Sequence, residues 1–312
     1  MATELKLKEL SKKEDRLTPG HRLCAGCAAP IIVRQILTAI DEPVVLANAT
    51  GCLEVSTTIY PYTAWNVPWI HTAFETAAST ISGVEAMYRS LVRQGKMEER
   101  NVKFVAFGGD GGTYDIGIQA LSGMMERGHR ALYVCYNNEA YMNTGIQRSG
   151  ATPLGAWTTT SPVGTVVPGK PRHRKDLTAI AAAHDIPYAA QASPHNWRDL
   201  MKKVRKAVAA NGASFMNVIS DCNRGWRHET DQTLEVTRLA VETCYWPLYE
   251  VEDGEWRLTY RPKEKLPIEE FLEPQGRFRH LFAEQNKHII EELQAEVDRK
   301  WKQLLQRCGE EE

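Results

Sequence analysis

The run Gly108-Gly109-Asp110-Gly111-Gly112 constrains this chain more than any other stretch, because regular structure must stop there and start again after it. Before it, the β-branched and aromatic residues of Val102–Phe107 predict a buried strand. After it, Ile118, Leu121 and Met125 recur at helical spacing between Asp115 and Arg127. Ala131–Tyr136 predicts a second strand, which ends on Asn137-Asn138. Strand, glycine turn, helix and strand make one βαβ unit, whose ligand sites lie beyond the C-terminal strand ends. Asp110 and Asn138 then sit at one edge on neighbouring strands, with their side-chain oxygens close together. Hard oxygen ligands among backbone N–H groups suit Mg2+ holding a diphosphate. Read alone, GDGG is equally a tight turn whose aspartate caps a helix.

The remainder of the chain continues the α/β alternation. Helices are predicted over Ala28–Ile40, Thr76–Arg93, Leu177–His184 and Trp197–Ala210, with strands at Val44–Ala47, Ile186–Ala189 and Phe215–Ile219. A hairpin is expected over 248–260 around Asp253-Gly254. The last helix carries Ile290, Leu293, Val297, Trp301 and Leu304 as one apolar stripe. Residues 57–70 hold four aromatics and two prolines, so they form no regular helix and read as a rigid loop. Residues 149–175 read as a long loop, including Lys170-Pro-Arg-His-Arg-Lys175, a basic run expected to be a solvated face rather than an anion or partner contact.

Lys+Arg of 38 against Asp+Glu of 39 leaves a net charge of -1, so no global field argues for nucleic acid or an acidic membrane. The longest early apolar run, Ala28–Val33, is too short to span a bilayer. Met1–Arg16 mixes Lys and Glu without an apolar centre and is expected to be a charged arm, either frayed or laid over a partner, rather than a signal peptide. With seven cysteines, an odd number, a disulfide framework is not expected and a cytoplasmic location is.

Four of those cysteines fall on loops: Cys24 and Cys27 in Cys-Ala-Gly-Cys, Cys52 after a strand in Asn-Ala-Thr-Gly-Cys, and Cys222 after another strand. Four thiolates can bind Zn2+ or an iron–sulfur cluster, and by spacing alone they are also readable as unrelated cysteines. One CxxC pair joined to two distant single cysteines fits a cluster lodged between loops better than a zinc ribbon. Cys135, Cys244 and Cys308 read as ordinary core or surface thiols.

Together, CAGC, NATGC, GDGGTYDIG and NNEAYMNTG resemble the beta subunit of the 2-oxoacid:ferredoxin oxidoreductases, on the pyruvate side of that family. The resemblance runs from about Thr18 to Asn223, and the C-terminal part resembles the extension of the pyruvate-type subunits. It implies an α/β thiamine-diphosphate-binding fold, with a mostly parallel sheet, helices on both faces and a C-terminal hairpin and helix. The implied organisation is an arm over 1–17, a cofactor- and cluster-binding domain over 18–245 and an extension over 246–312. By the same resemblance Asp110, Asn138 and the Ala140 carbonyl ligate Mg2+, and Gly109, Gly111 and Gly112 admit the diphosphate. Thr50-Gly51 and Asn143-Thr144 lie near the cofactor, with Asn143 beside its reactive carbon. Cys24, Cys27, Cys52 and Cys222 ligate one 4Fe–4S cluster.

The implied activity is oxidative decarboxylation of a small 2-oxo acid or oxalate, with electrons passing to ferredoxin. The glutamate that activates thiamine usually resides in a second α/β domain. Glu54 and Glu75 sit in motifs the family places on this subunit, so that glutamate is expected from an alpha subunit. Further clusters are expected on that subunit or on gamma and delta (or fused) subunits. Two departures, Ala28-Ala29-Pro30 after CAGC and Asp221-Cys222-Asn223-Arg224 around the last ligand, tilt the expected substrate toward oxalate, with pyruvate and coenzyme A as the alternative. A non-redox thiamine decarboxylase component and a binding or scaffold module are the remaining readings.

Overall fold

The computed structural model describes residues 5–311. In chain order they form α1 (Leu7–Leu10), α2 (Ala28–Ala39), β1 (Val44–Ala49), α3 (Cys52–Thr57), β2 (Trp69–Thr72), α4 (Ala77–Arg93) and β3 (Lys103–Gly109). A π-helical turn over Gly111–Ile116 leads into α5 (Ile118–Glu126), followed by β4 (Ala131–Asn137), α6 (Leu177–Ala182), β5 (Tyr188–Ala192), α7 (Trp197–Ala209) and β6 (Ser214–Ile219). The chain closes with α8 (Asn223–Trp226), α9 (Thr233–Glu242), β7 (Tyr249–Glu252), β8 (Glu255–Leu258), α10 (Ile268–Leu272), a 3-10 turn over Gly276–Phe282 and α11 (Lys287–Cys308).

The strands make one sheet in the order β2-β1-β3-β4-β6-β5-β7-β8. Pairing is parallel from β2 through β5 and antiparallel for β7 and β8. Successive side chains alternate between two cores, as a period of two requires. Phe104 and Ala106 of β3, with Tyr133 and Cys135 of β4, face the core shared with α4, α5, α9 and α11. Val105, Phe107, Val134 and Tyr136 face the core shared with α2 and α7. Central strands buried on both faces explain why their sequences read as nearly continuous apolar runs. The chain leaves β1 for β2 on one side and returns to β3 on the other, so the β1/β3 gap is the switch point where such sheets bind ligands.

Several expectations are refined. The arm does not fray: Lys13 Nζ donates to the Thr38 carbonyl at 2.7 Å and Arg16 Nη2 to the Glu42 carbonyl at 2.9 Å, laying it over the end of α2. Residues 1–4 of that arm lie outside the described residues. The hairpin turns on Asp253 and Gly254, both left-handed at φ 50° and 84°, and adds two strands to the common sheet. Short elements escaped the sequence reading, notably α3, β2, α9 and α10. β2 follows Pro68 and pairs at the sheet edge, where four residues carry too little pattern to be read. Among the described residues no helix is long and apolar enough to cross a membrane.

The α11 stripe is buried as its spacing requires, Trp301 being 8% exposed and Leu293 3%. Trp301→Ala should therefore destabilise the chain by about 3–5 kcal/mol. Lys302→Ala, one position round on the exposed face, should change stability by less than about 0.5 kcal/mol. Denaturant midpoints of the two variants measure the contrast.

Candidate functional site

The glycine run reverses the chain as it leaves β3, and Asp110 is held there without exposure to water. Its Oδ1 accepts from the Asn138 backbone N–H at 3.2 Å, and Ser149 Oγ donates to Oδ2 at 2.5 Å. Burial pushes the Asp110 carboxyl up to about 7, the Ser149 hydrogen bond opposing the rise and the charge of Glu139 adding to it. The inward-facing atom of the Asn138 amide lies 2.9 Å from both Asp110 Oδ1 and the Ala140 carbonyl oxygen. With nitrogen inward, the amide donates to both. With oxygen inward, three oxygens meet, an arrangement that a proton on Asp110 or a bound cation stabilises. Ligands cis to one another around an octahedral Mg2+ stand about 2.9 Å apart, √2 times its bond length, so the spacing fits that ion.

Glycine at 111 and 112 is demanded by neighbouring packing. A Cβ on Gly111 would lie 2.4 Å from the Tyr141 ring, and one on Gly112 2.6 Å from the Phe74 carbonyl. Gly109 is less restricted: a Cβ there would meet Tyr136 at an ordinary 3.5 Å.

The loop that carries Asn138 is fixed from several directions. Glu139 is fully buried and left-handed at φ 65°. Its carboxylate accepts from Tyr245 Oη at 2.6 Å and Arg277 Nη2 at 2.6 Å, with Arg174 Nη1 at 3.4 Å. Thr152 Oγ1 donates to the Glu139 carbonyl at 2.6 Å, and Trp226 Nε1 to the Asn138 carbonyl at 2.8 Å. This is where the basic run belongs. Arg174 stacks over Tyr245 and Trp246, Lys175 pairs with Asp115 at 2.9 Å, and buried Lys170 donates to the Thr152 carbonyl. Burial lowers the Lys170 ammonium to about 8. Lys170 and Arg174 are thus internal braces and not the solvated face expected from their charge, while Arg172 is exposed and Lys175 is half-exposed on its ion pair.

The cysteine loops converge beside β1. Cys27 precedes α2 and Cys222 precedes α8, and the two residues pair as an antiparallel bridge. Cys52 opens α3 and Cys24 is exposed on its loop. Burial pushes the Cys27 and Cys52 thiols up to about 12, and Cys222 to about 11; in each, the other thiols add to the rise. The Asp110 carboxylate also acts on Cys52, so the two constellations are neighbours. Between them stands Tyr136, buried, with its hydroxyl 3.0 Å from where a Cβ on Gly51 would lie. Among the described residues no three His, Cys, Asp or Glu side chains converge on one metal ion. A cluster makes no such demand, because each of its four irons takes its own thiolate.

Thr50 Oγ1 donates to the Thr72 carbonyl at 3.1 Å and lies 2.7 Å from His71 Nε2. Thr144 Oγ1 donates to Gln147 Oε1 at 2.5 Å, and Asn143 is exposed on the same turn. Glu54 is held by Thr58 Oγ1 at 3.1 Å and faces His71 at 3.7 Å. Ser149, Glu139 and Tyr136 were not singled out in the sequence. Ser149 opens the Ser-Gly-Ala-Thr-Pro stretch and Glu139 stands inside NNEAYMNTG, but their roles depend on contacts far along the chain.

Residues 49–218 match the family described as thiamine pyrophosphate enzyme, C-terminal TPP binding domain. The chain is 56% identical to pyruvate synthase subunit PorB of Thermotoga maritima, over 95% of this chain and 93% of that protein. It is 52% identical to the protein of the same name from Methanocaldococcus jannaschii, over 94% and 97%. Against ketoisovalerate oxidoreductase subunit VorB of Pyrococcus abyssi the identity is 45%, over 93% of each. Among solved structures, 2-oxoglutarate:ferredoxin oxidoreductase from Magnetococcus marinus superposes with a TM-score of 0.54 at 19% identity, covering 76% of this chain and 81% of that one, a likeness of fold.

The raised thiols give a pH signature. The thiolate is the nucleophile, so below its pKa a thiol's alkylation rate rises tenfold per pH unit. In cluster-free protein, labelling of Cys27, Cys52 and Cys222 should still climb between pH 9 and 11, whereas an ordinary thiol levels off about one unit above a pKa of roughly 8.5. Residue-resolved mass spectrometry after iodoacetamide pulses reads this. A plateau at these three below pH 10 would contradict the burial argument.

Proposed function

We propose, for a chain that belongs to the family of 2-oxoacid:ferredoxin oxidoreductase beta subunits, that it is the beta subunit of a pyruvate:ferredoxin oxidoreductase and carries thiamine diphosphate, Mg2+ and one 4Fe–4S cluster. Its family makes it a thiamine-dependent oxidoreductase component. The observation that carries the finer reading is the juxtaposition at the strand ends. The Asn138 amide stands 2.9 Å from both Asp110 Oδ1 and the Ala140 carbonyl oxygen, and the Asp110 carboxylate acts on Cys52, one of the four loop cysteines.

In this reading Asp110 Oδ1, Asn138 Oδ1 and the Ala140 carbonyl hold Mg2+, and Ser149 occupies Asp110 Oδ2 so that Oδ1 turns toward the ion. The N–H groups of Gly109, Gly111 and Gly112 face the diphosphate at the start of the helical turn, where oriented amides favour an anion. Thr50, Gly51, Asn143 and Thr144 border the reactive end of the cofactor, and Asn143 is the side chain assigned to contact substrate. Bound thiamine diphosphate supplies a carbon nucleophile and an electron sink for loss of CO2. Cys24, Cys27, Cys52 and Cys222 hold the cluster, whose potential range reaches roughly −700 mV, low enough to accept electrons singly and pass them toward ferredoxin. The high thiol pKa values fit that role, because iron supplies the positive charge that stabilises four buried thiolates. Zn2+ is the weaker reading of the same four, since a single ion needs them on one point.

Glu54 already engages Thr58 and His71, which favours an activating glutamate from an alpha subunit, with onward clusters on that subunit or on gamma and delta subunits. The tilt toward oxalate is given up. The relatives from Thermotoga and Methanocaldococcus named pyruvate synthase are 56% and 52% identical, and the ketoisovalerate relative, at 45%, also acts on a 2-oxo acid by name. The sequence departures that suggested oxalate lie beside cluster ligands, where they bear on the cluster's surroundings and not on substrate.

The native complex should be brown, with about four irons per copy of this chain from this cluster beyond those of its partners. It should reduce methyl viologen with pyruvate only when coenzyme A is present. Asp110→Ala should abolish this reduction and leave the iron intact. Reduction by oxalate without coenzyme A, and not by pyruvate, would overturn the substrate. Stoichiometric zinc in a colourless protein would overturn the cluster.

A further inference from the structure

One buried carboxylate links the C-terminal quarter of the chain to the cation-binding loop. Glu139 lies between two residues assigned to the metal, Asn138 and Ala140. Its left-handed backbone lies two residues past the end of β4, where the Ala140 carbonyl faces the Asn138 amide. A non-glycine residue holds that conformation only when its surroundings impose it. Here the imposing contacts include Thr152 on its carbonyl and Asn137 Oδ1 on its N–H, and those of its own carboxylate: Arg277 on one oxygen, Tyr245 and Arg174 on the other.

Arg277 belongs to the 3-10 turn after α10 and is itself held in place. Its Nε donates to Gln275 Oε1 at 2.8 Å, and its guanidinium lies 4.0 Å from the centre of the Trp226 ring. Trp226 in turn donates to the Asn138 carbonyl. The loop is therefore gripped at two consecutive residues by one Arg–Trp unit. Removing water from a carboxylate and a guanidinium costs free energy that an apolar pair would not, so the fold alone gives little reason to keep the ions here. A cation site gives one, because partners outside the ligand set orient the ligands and tune affinity.

We propose that Glu139 and Arg277 are a positioning pair that sets the affinity of the site for its divalent cation, by fixing the directions of the Asn138 side chain and the Ala140 carbonyl. This rests on the assignment of that site to Mg2+ and thiamine diphosphate.

The test uses the purified complex with Mn2+ as probe, its free concentration read by electron paramagnetic resonance at saturating thiamine diphosphate. Glu139→Gln with Arg277→Met removes both charges and leaves neither stranded. The double variant should bind Mn2+ about tenfold or more weakly, with viologen reduction regained at high Mg2+. Asp199→Asn with Lys203→Met removes a buried pair (2.6 Å) on α7, and should leave Mn2+ affinity unchanged. Wild-type affinity in the folded Glu139/Arg277 double variant overturns the proposal. Should that variant not fold, Arg277→Lys keeps the cation and loses the fork; it should weaken Mn2+ binding, and wild-type affinity there also overturns the pair. If wild type and Asp110→Ala bind Mn2+ alike, the underlying site assignment fails and takes the proposal with it.

Discussion

Two carboxylates, Asp110 and Glu139, are buried without exposure within one short stretch of structure, and much of the molecule is arranged to make that tolerable. Each has a different solution. Glu139 is answered by protein groups alone, two guanidinium groups and a phenol. Asp110 receives only a hydroxyl and a backbone N–H, and its carboxyl is correspondingly raised to about 7. The first is complete in itself. The second faces the Asn138 amide, which also meets the Ala140 carbonyl, an arrangement in keeping with the cation site proposed above.

The topology explains why this chemistry collects at one place. Crossing from β2 back over β1 to β3 opens a gap at the C-terminal end of the sheet, and the loops after β1, β3, β4 and β6 all empty into it. Those loops carry Cys52, Asp110, Asn138 and Cys222 respectively. The Asp110–Asn138 pair and the cysteine loops thus become neighbours through strand order, although their residues lie far apart in the chain. Tyr136, at the end of the central β4, fills the space between them.

The C-terminal quarter has a part in this that its apolar pattern did not announce. Read as a hairpin and a stripe, it is a cover for one face of the sheet, and α11 does provide that cover. Yet Tyr245 and Arg277 reach through to the loop after β4, and Lys170 and Arg174 of the basic run brace the same loop from the other side. Charge in a sequence reads as solvated by default. These cations are exceptions because each meets an acceptor brought to it from elsewhere in the chain.

The elements with long, regular patterns were legible without coordinates: α2, α4, α7, α11 and the parallel strands β1, β3, β4, β5 and β6, with the glycine turn between β3 and β4. The ligand candidates were legible too, since Asp110, Asn138 and the cysteines stand in short motifs whose chemistry depends on residue type and spacing. What escaped was short, as with β2 and α10, or long-range, as with Ser149 on Asp110 and Arg277 on Glu139, 39 and 138 residues apart. Local sequence determines where regular structure begins and ends, because hydrogen bonding and side-chain period act over a few residues. Only the tertiary structure decides which buried charge meets which partner, because desolvation makes a contact costly or favourable according to what the fold brings beside it.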